Sequence, residues 1–198
     1  FEGWLSIVVF LPAAAALVIA LFLRNDSHIR WFAIGATVLN LILIVITYVA
    51  YDRGIGGVQM VDRYQDWIPV DGLRAEFLLG IDGLSAPLVL LTGLLTAVAA
   101  FASWRITLRV REYFIWLLVL STSVLGVFLA LDFLLFFIFW EIELIPMFML
   151  ISIWGSGRNR YSAMKFVIFT LGGSAFMLIG ILALFLSSGV DTFAMVSI

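Results

Sequence analysis

Two acids stand inside an otherwise apolar run, Phe139-Trp140-Glu141-Ile142-Glu143-Leu144-Ile145-Pro146. An ionised side chain at mid-bilayer costs from ~3 kcal/mol on insertion scales to more than ~10 kcal/mol in simulations. Such a carboxyl is therefore kept for a purpose. In an apolar medium a carboxyl favours its neutral form, and an approaching cation reverses that preference. A group with those two states can take up and release a proton. Successive residues of a helix are rotated by about 100°, so Glu141 and Glu143 point to nearly opposite sides and cannot share one task. Each can alternatively serve as a hydrogen-bonded tie between helices. Pro146 removes the bond to the carbonyl of Ile142 and loosens the helix there. The freed carbonyl either holds water beside Glu141 or marks a packing kink. Lys165 enters the following apolar run and either snorkels to headgroups or forms the inside mouth of a path to Glu141.

The elements that carry these residues are membrane spans. The chain has 198 residues, 64% apolar and 12% charged, with a net charge of −2 and a mean hydropathy of +1.19. A soluble domain carries about 25% charged residues. Six apolar runs, 5–23, 31–51, 85–104, 113–131, 133–154 and 163–186, each reach the ~20 residues a helix needs to cross. They are continuous rather than alternating, which rules out a barrel. The fold class is therefore all-α integral membrane, in one transmembrane domain with no linker or obvious repeat.

Charge sets the orientation. One side carries Arg24, Arg30, Arg105, Arg109, Arg111, Arg158, Arg160 and Lys165, eight of the eleven basic residues, while Arg53, Arg63 and Arg74 fall on the other. The positive-inside rule then puts the N-terminus outside. The long outer connection 52–84 mixes Tyr64, Trp67, Phe77 and Leu79 with the turn-forming Pro69-Val70-Asp71-Gly72, which predicts a short β-hairpin on the outer face. Asp82 or Ser85 is expected to cap the third helix, with Pro87 in its first turn, and Asp132 to cap the fifth. Thr170, Gly172, Gly173 and Ser174 predict close helix packing. Ser121, Thr122, Ser123 and Asn40 predict hydrogen bonds between helices, or otherwise a wet cavity.

Several chemistries are excluded. There is no cysteine, so no disulfide, thiolate metal site or iron–sulfur ligand set. His28 is the single histidine, too little to hold haem or a transition metal. No phosphate-cradling glycine loop, catalytic triad or metal-ligand cluster occurs. The Arg105/Arg109/Arg111 group reads as topology rather than nucleic-acid binding. The run 5–23 lacks a basic region ahead of it and reads as a retained helix rather than a signal peptide. Phe1 in place of Met suggests a trimmed or partial chain.

Phe139-Trp140-Glu141, then Leu144-Ile145-Pro146-Met147, Ile153-Trp154-Gly155 and Lys165-Phe166, resemble the antiporter-like subunit M (chain 4) of respiratory complex I. So does Leu79-Gly80-Ile81-Asp82-Gly83-Leu84-Ser85 at the entry to the third helix, and the matching subunit of the photosynthetic NDH complex is similar. The resemblance covers essentially the whole chain. It implies the six-helix N-terminal portion of a larger antiporter-like bundle, ending before a seventh helix, in the multi-pass inner or plasma membrane of a prokaryote. It further implies a proton-translocating subunit of a NADH-quinone oxidoreductase, with Glu141 paired to a lysine on that seventh helix. No redox cofactor is expected in this chain; NADH, FMN, iron–sulfur clusters and quinone are expected in partner subunits. The other membrane subunits are direct partners, and the peripheral arm an indirect one. Two further functions stay open: a subunit of a multisubunit cation/proton antiporter or membrane-bound hydrogenase, and a structural membrane subunit without a proton role.

Overall fold

The computed structural model describes residues 3–70, 73–189 and 192–195, with backbone alone for 65–70 and 73–75. Six helices long and apolar enough to span a membrane are present among them: α1 (Trp4–Phe22), α2 (Asp26–Ala50), α3 (Ser85–Ala102), α4 (Val110–Leu129), α5 (Phe133–Trp154) and α6 (Asn159–Ser188). A two-stranded antiparallel sheet, β1 (Gln59–Val70) and β2 (Leu73–Ile81), separates α2 from α3. The chain is thus a multi-pass membrane protein with the expected hairpin. The predicted turn residues Asp71 and Gly72 lie outside the described residues.

Three helices begin earlier than hydropathy predicts, each for a local reason. The Asn25 side chain accepts from Ser27 N at 2.9 Å and starts α2 at Asp26 rather than Trp31. Arg109 takes a left-handed conformation (φ 47°) that turns the chain directly into α4 at Val110. The polar first turn of α6, Asn159-Arg160-Tyr161-Ser162, is helical although its hydropathy is low.

α4 is the hub, packing on α1, α2, α3 and α5, while α6 packs on α5. Transmembrane helices gain little from the hydrophobic effect in lipid, so close backbone approach matters more. Gly126 of α4 lies flat against the ring of Phe139, and a Cβ there would sit 2.3 Å from it. Two apolar clusters result. One, at the hairpin end, joins Leu5, Val8, Ile44, Leu79, Val89, Leu125 and Phe139; the other, at the basic end, joins Ile19, Ile29, Ala33, Ala100, Phe114 and Leu118. Many other apolar side chains point outward, as lipid contact requires; Phe176 is 78% exposed.

The hairpin ties three helix starts together through aspartates. Asp62 on β1, fully buried, accepts from Gly3 N and Ser6 N, both at 2.8 Å, and from Ser6 Oγ at 3.0 Å, capping α1. Asp82 accepts from Leu84 N and Ser85 N, while Ser85 Oγ takes the Asp82 N–H, so both expected residues cap α3. Asp132 accepts from Leu134 N and Leu135 N at the start of α5, and from Glu76 N of β2 at 3.3 Å. Asp132 is wholly buried, and that burial pushes its carboxyl above its ordinary range against the pull of the Leu135, Glu76 and Leu134 N–H groups. Glu76 is held in turn by Arg63 through two 2.7 Å bonds. The α4–α5 connection itself pairs with β2 on one side and with residues 193–195 on the other, through Leu131 N to Leu78 O and Met195 N to Leu131 O.

Candidate functional site

Both acids of the apolar run lie on α5, which continues without interruption from Phe133 through Pro146 to Trp154. At 1.5 Å per residue, Glu141 lies about 12 Å along the helix from Phe133 and about 20 Å from Trp154. That places it well inside a hydrocarbon core about 30 Å thick. Glu143 is about 3 Å deeper. Each is half-buried within the chain.

The two acids differ in what surrounds them. Phe139 faces Gly126 of α4, and Glu143, four residues on, shares that face of the helix. Glu141 springs from the side turned away from it, as the rotation of about 200° between the two requires. Its Oε1 is buried and has no hydrogen-bond partner among the described residues. Two hydroxyl or amide oxygens are in the same condition, Thr122 Oγ1 on α4 and Asn40 Oδ1 on α2. Unsatisfied buried oxygens are rare in folded proteins, and in a membrane they invite water or a cation.

The other predicted polar groups divide. Thr96 Oγ1 of α3 donates to Ser121 Oγ of α4 at 3.3 Å, an interhelical bond of the expected kind. Ser123 instead returns its hydroxyl to the carbonyls of Val119 and Leu120 in its own helix. Among the described residues nothing packs closely on Gly172 or Gly173, and only Ser174 of that run is buried. Among the described residues α6 packs chiefly on α5.

Lys165 is exposed, its Nζ 5.9 Å from the ring centroid of Phe169. Counting back from the α5–α6 turn, it lies about 10 Å along the membrane normal from the depth of Glu141. The described residues do not bring the two together. Sequence reasoning missed Asp62 and Glu76, whose partners stand far away in the chain; their signal was only that two acids recur in the hairpin.

Comparison with known proteins accords with this architecture. Residues 130–198 match the family model described as the transmembrane region of NADH:quinone oxidoreductase and Mrp antiporter subunits. The chain is 37% identical to NAD(P)H-quinone oxidoreductase chain 4 of Gloeobacter violaceus, covering 98% of this chain and 36% of that one. It is 40% identical to a chain 4 of Nostoc sp., covering 96% and 35%. In structure it superposes on a chain of respiratory complex I from Thermus thermophilus with a TM-score of 0.82, at 26% identity, covering 98% and 38%. It therefore spans about a third of the length of the curated relatives it matches. By sequence and by fold, the chain is similar to NAD(P)H-quinone oxidoreductase chain 4 and to a chain of respiratory complex I over almost all of its own length.

Proposed function

We propose that this chain forms part of a proton-translocating membrane subunit of a NADH-quinone oxidoreductase, with Glu141 as its proton site. The observation that carries the reading is the Glu141 carboxyl, some 12 Å deep, with a buried oxygen that no described residue satisfies. An acid within a membrane span is expensive to keep, and such acids mark proton and ion paths. The resemblance to chain 4 subunits implies a lysine of a seventh helix as the partner cation. Electron transfer from NADH through FMN and iron–sulfur clusters to quinone would occur in partner subunits. The basic end of the bundle faces inward and the N-terminus outward, as the distribution of Arg and Lys supports. Lys165, at that basic end, is the candidate entry residue.

The test is coupled pumping in vesicles holding the assembled complex. Glu141→Gln keeps the side chain's volume but cannot release a proton, and is expected to depress pumping more than Glu143→Gln while the complex still assembles. Wild-type pumping by Glu141→Gln would overturn the proposal and favour a structural role. Lys165→Ala is expected to slow proton uptake from the inner side without loss of assembly. Pumping that survives removal of the electron-transfer subunits and follows a sodium or potassium gradient would instead identify a cation/proton antiporter.

A further inference from the structure

At the basic end of the bundle a cavity of about 720 Å³ opens between the α3–α4 connection, the last turns of α5 and the first turns of α6. Arg109 and Arg160, both exposed, stand at its rim. Its depth is apolar, lined by Phe148, Met149 and Met164. The order follows from helix direction. Arg160 is in the first turn of α6 and Met164 one turn further into the membrane, while Phe148 lies about 9 Å inward of Trp154. Cations at the headgroup level above apolar walls at the acyl level match one chemistry: a phosphodiester carrying hydrocarbon chains. A free anion would leave the apolar walls wet, and an uncharged lipid would leave two guanidiniums without a partner of fixed geometry. Guanidiniums bind phosphate oxygens in pairs, and basic pockets between helices at this membrane level suit anionic headgroups.

We infer that this cavity binds an anionic phospholipid, its phosphate between Arg109 and Arg160 and its chains against Phe148, Met149 and Met164. Glu112, outside the cavity lining, is the acid paired with Arg109, at 3.3 Å. That pair is half-exposed on both sides and worth under about 1 kcal/mol in water, so a phosphate displaces it at small cost. The inference is independent of the proton reading, since it needs only that the bundle is embedded in lipid. The site also has a structural setting: the α3–α4 connection is held by Arg30 to the Ile106 carbonyl and by the Trp154 indole to the Leu108 carbonyl, which fixes one wall of the cavity against the other.

The experiment uses the full-length protein in its assembled complex, reconstituted in phosphatidylcholine vesicles doped with phosphatidylglycerol, with retained lipid counted by mass spectrometry after purification. Each charge-assisted hydrogen bond from a guanidinium to the phosphate is worth about fivefold or more in binding. Replacing both (R109Q/R160Q) is therefore expected to weaken phosphatidylglycerol retention about 30-fold. The control pair R24Q/R105Q, on the same face but outside the cavity, is expected to leave it unchanged. Met149→Trp, which fills the cavity and keeps both charges, is expected to expel the lipid; it decides the matter should the double variant not assemble. Equal loss in the control pair would reduce the effect to diffuse surface charge and overturn the inference. So would lipid retained in Met149→Trp, which would mean that other helices fill the cavity. Inorganic phosphate displacing phosphatidylglycerol at equal concentration would overturn it in favour of a free-anion site.

Discussion

Gly126→Ala tests whether the α4–α5 contact places the acid-bearing helix. The added Cβ would meet three ring carbons of Phe139 at 2.3, 2.4 and 2.5 Å, where ordinary contact begins at 3.4 Å. The nearest ring carbon is thus 1.1 Å too close. Phe139 is 4% exposed and held within the hairpin-end cluster, 6.2 Å from the ring of Phe10. It cannot swing clear, so the two helices must separate or the ring must leave its rotamer. Overpacking of this kind costs about 1–3 kcal/mol, against which alanine recovers up to about 1 kcal/mol of helix propensity. The expected net loss is about 1–2 kcal/mol. The assay is reversible unfolding in mixed micelles for Gly126→Ala, Phe139→Leu and the double variant. Phe139→Leu removes the ring, so the double variant is expected to cost less than the sum by about 1 kcal/mol or more. Strict additivity, or a Gly126→Ala protein as stable as the wild type, would refute the reasoning.

Three other outcomes follow from the aspartate caps and the hairpin. Asp62→Ala deprives Gly3 N, Ser6 N and Ser6 Oγ of one acceptor group and is expected to cost about 1–2 kcal/mol, read as a lower melting temperature. The N–H groups of Ser85 and Leu84 hold the Asp82 carboxyl below its ordinary value of 3.8; its stabilising share is thus complete above that pH and lost as pH falls through the depressed value, so Asp82→Asn should flatten the acid limb of a melting-temperature profile. Arg63→Ala strands the carboxylate of Glu76, 11% exposed at its side chain, and is expected to destabilise more than Arg63→Ala combined with Glu76→Ala; the reverse order in thermal melts would show that the pair contributes little.

The spans were legible because a bilayer imposes one length and one composition on every crossing helix, and six runs meet both. Their starts were less so: the polar residues at the head of α2 and α6 look like connection until Asn25 and Arg158 are seen outside them. Asp132 was recognisable as a cap because its partners, Leu134 and Leu135, follow at once. Asp62 was not, since its partners are contributed by α1 across the whole of α2. Glu141 stood out for the opposite reason to most site residues. It needs no distant partner to be conspicuous, only an apolar run around it. Gly172 and Gly173 find no second helix among the described residues, so their signal of close approach stands without a partner there.

The Asp62 cap has a consequence for biogenesis. A membrane helix can settle in the bilayer as soon as it leaves the translocon, but the first amide groups of α1 wait for an acceptor 56 to 59 positions later in the chain. Asp132 likewise receives the Glu76 amide from 56 positions earlier. Until the hairpin has been translated and has folded back, the first amides of α1 lack that acceptor. The finishing of α1 is thereby timed to the hairpin and not to its own synthesis, and a stalled or misfolded hairpin would leave inserted helices that are not yet fastened to one another.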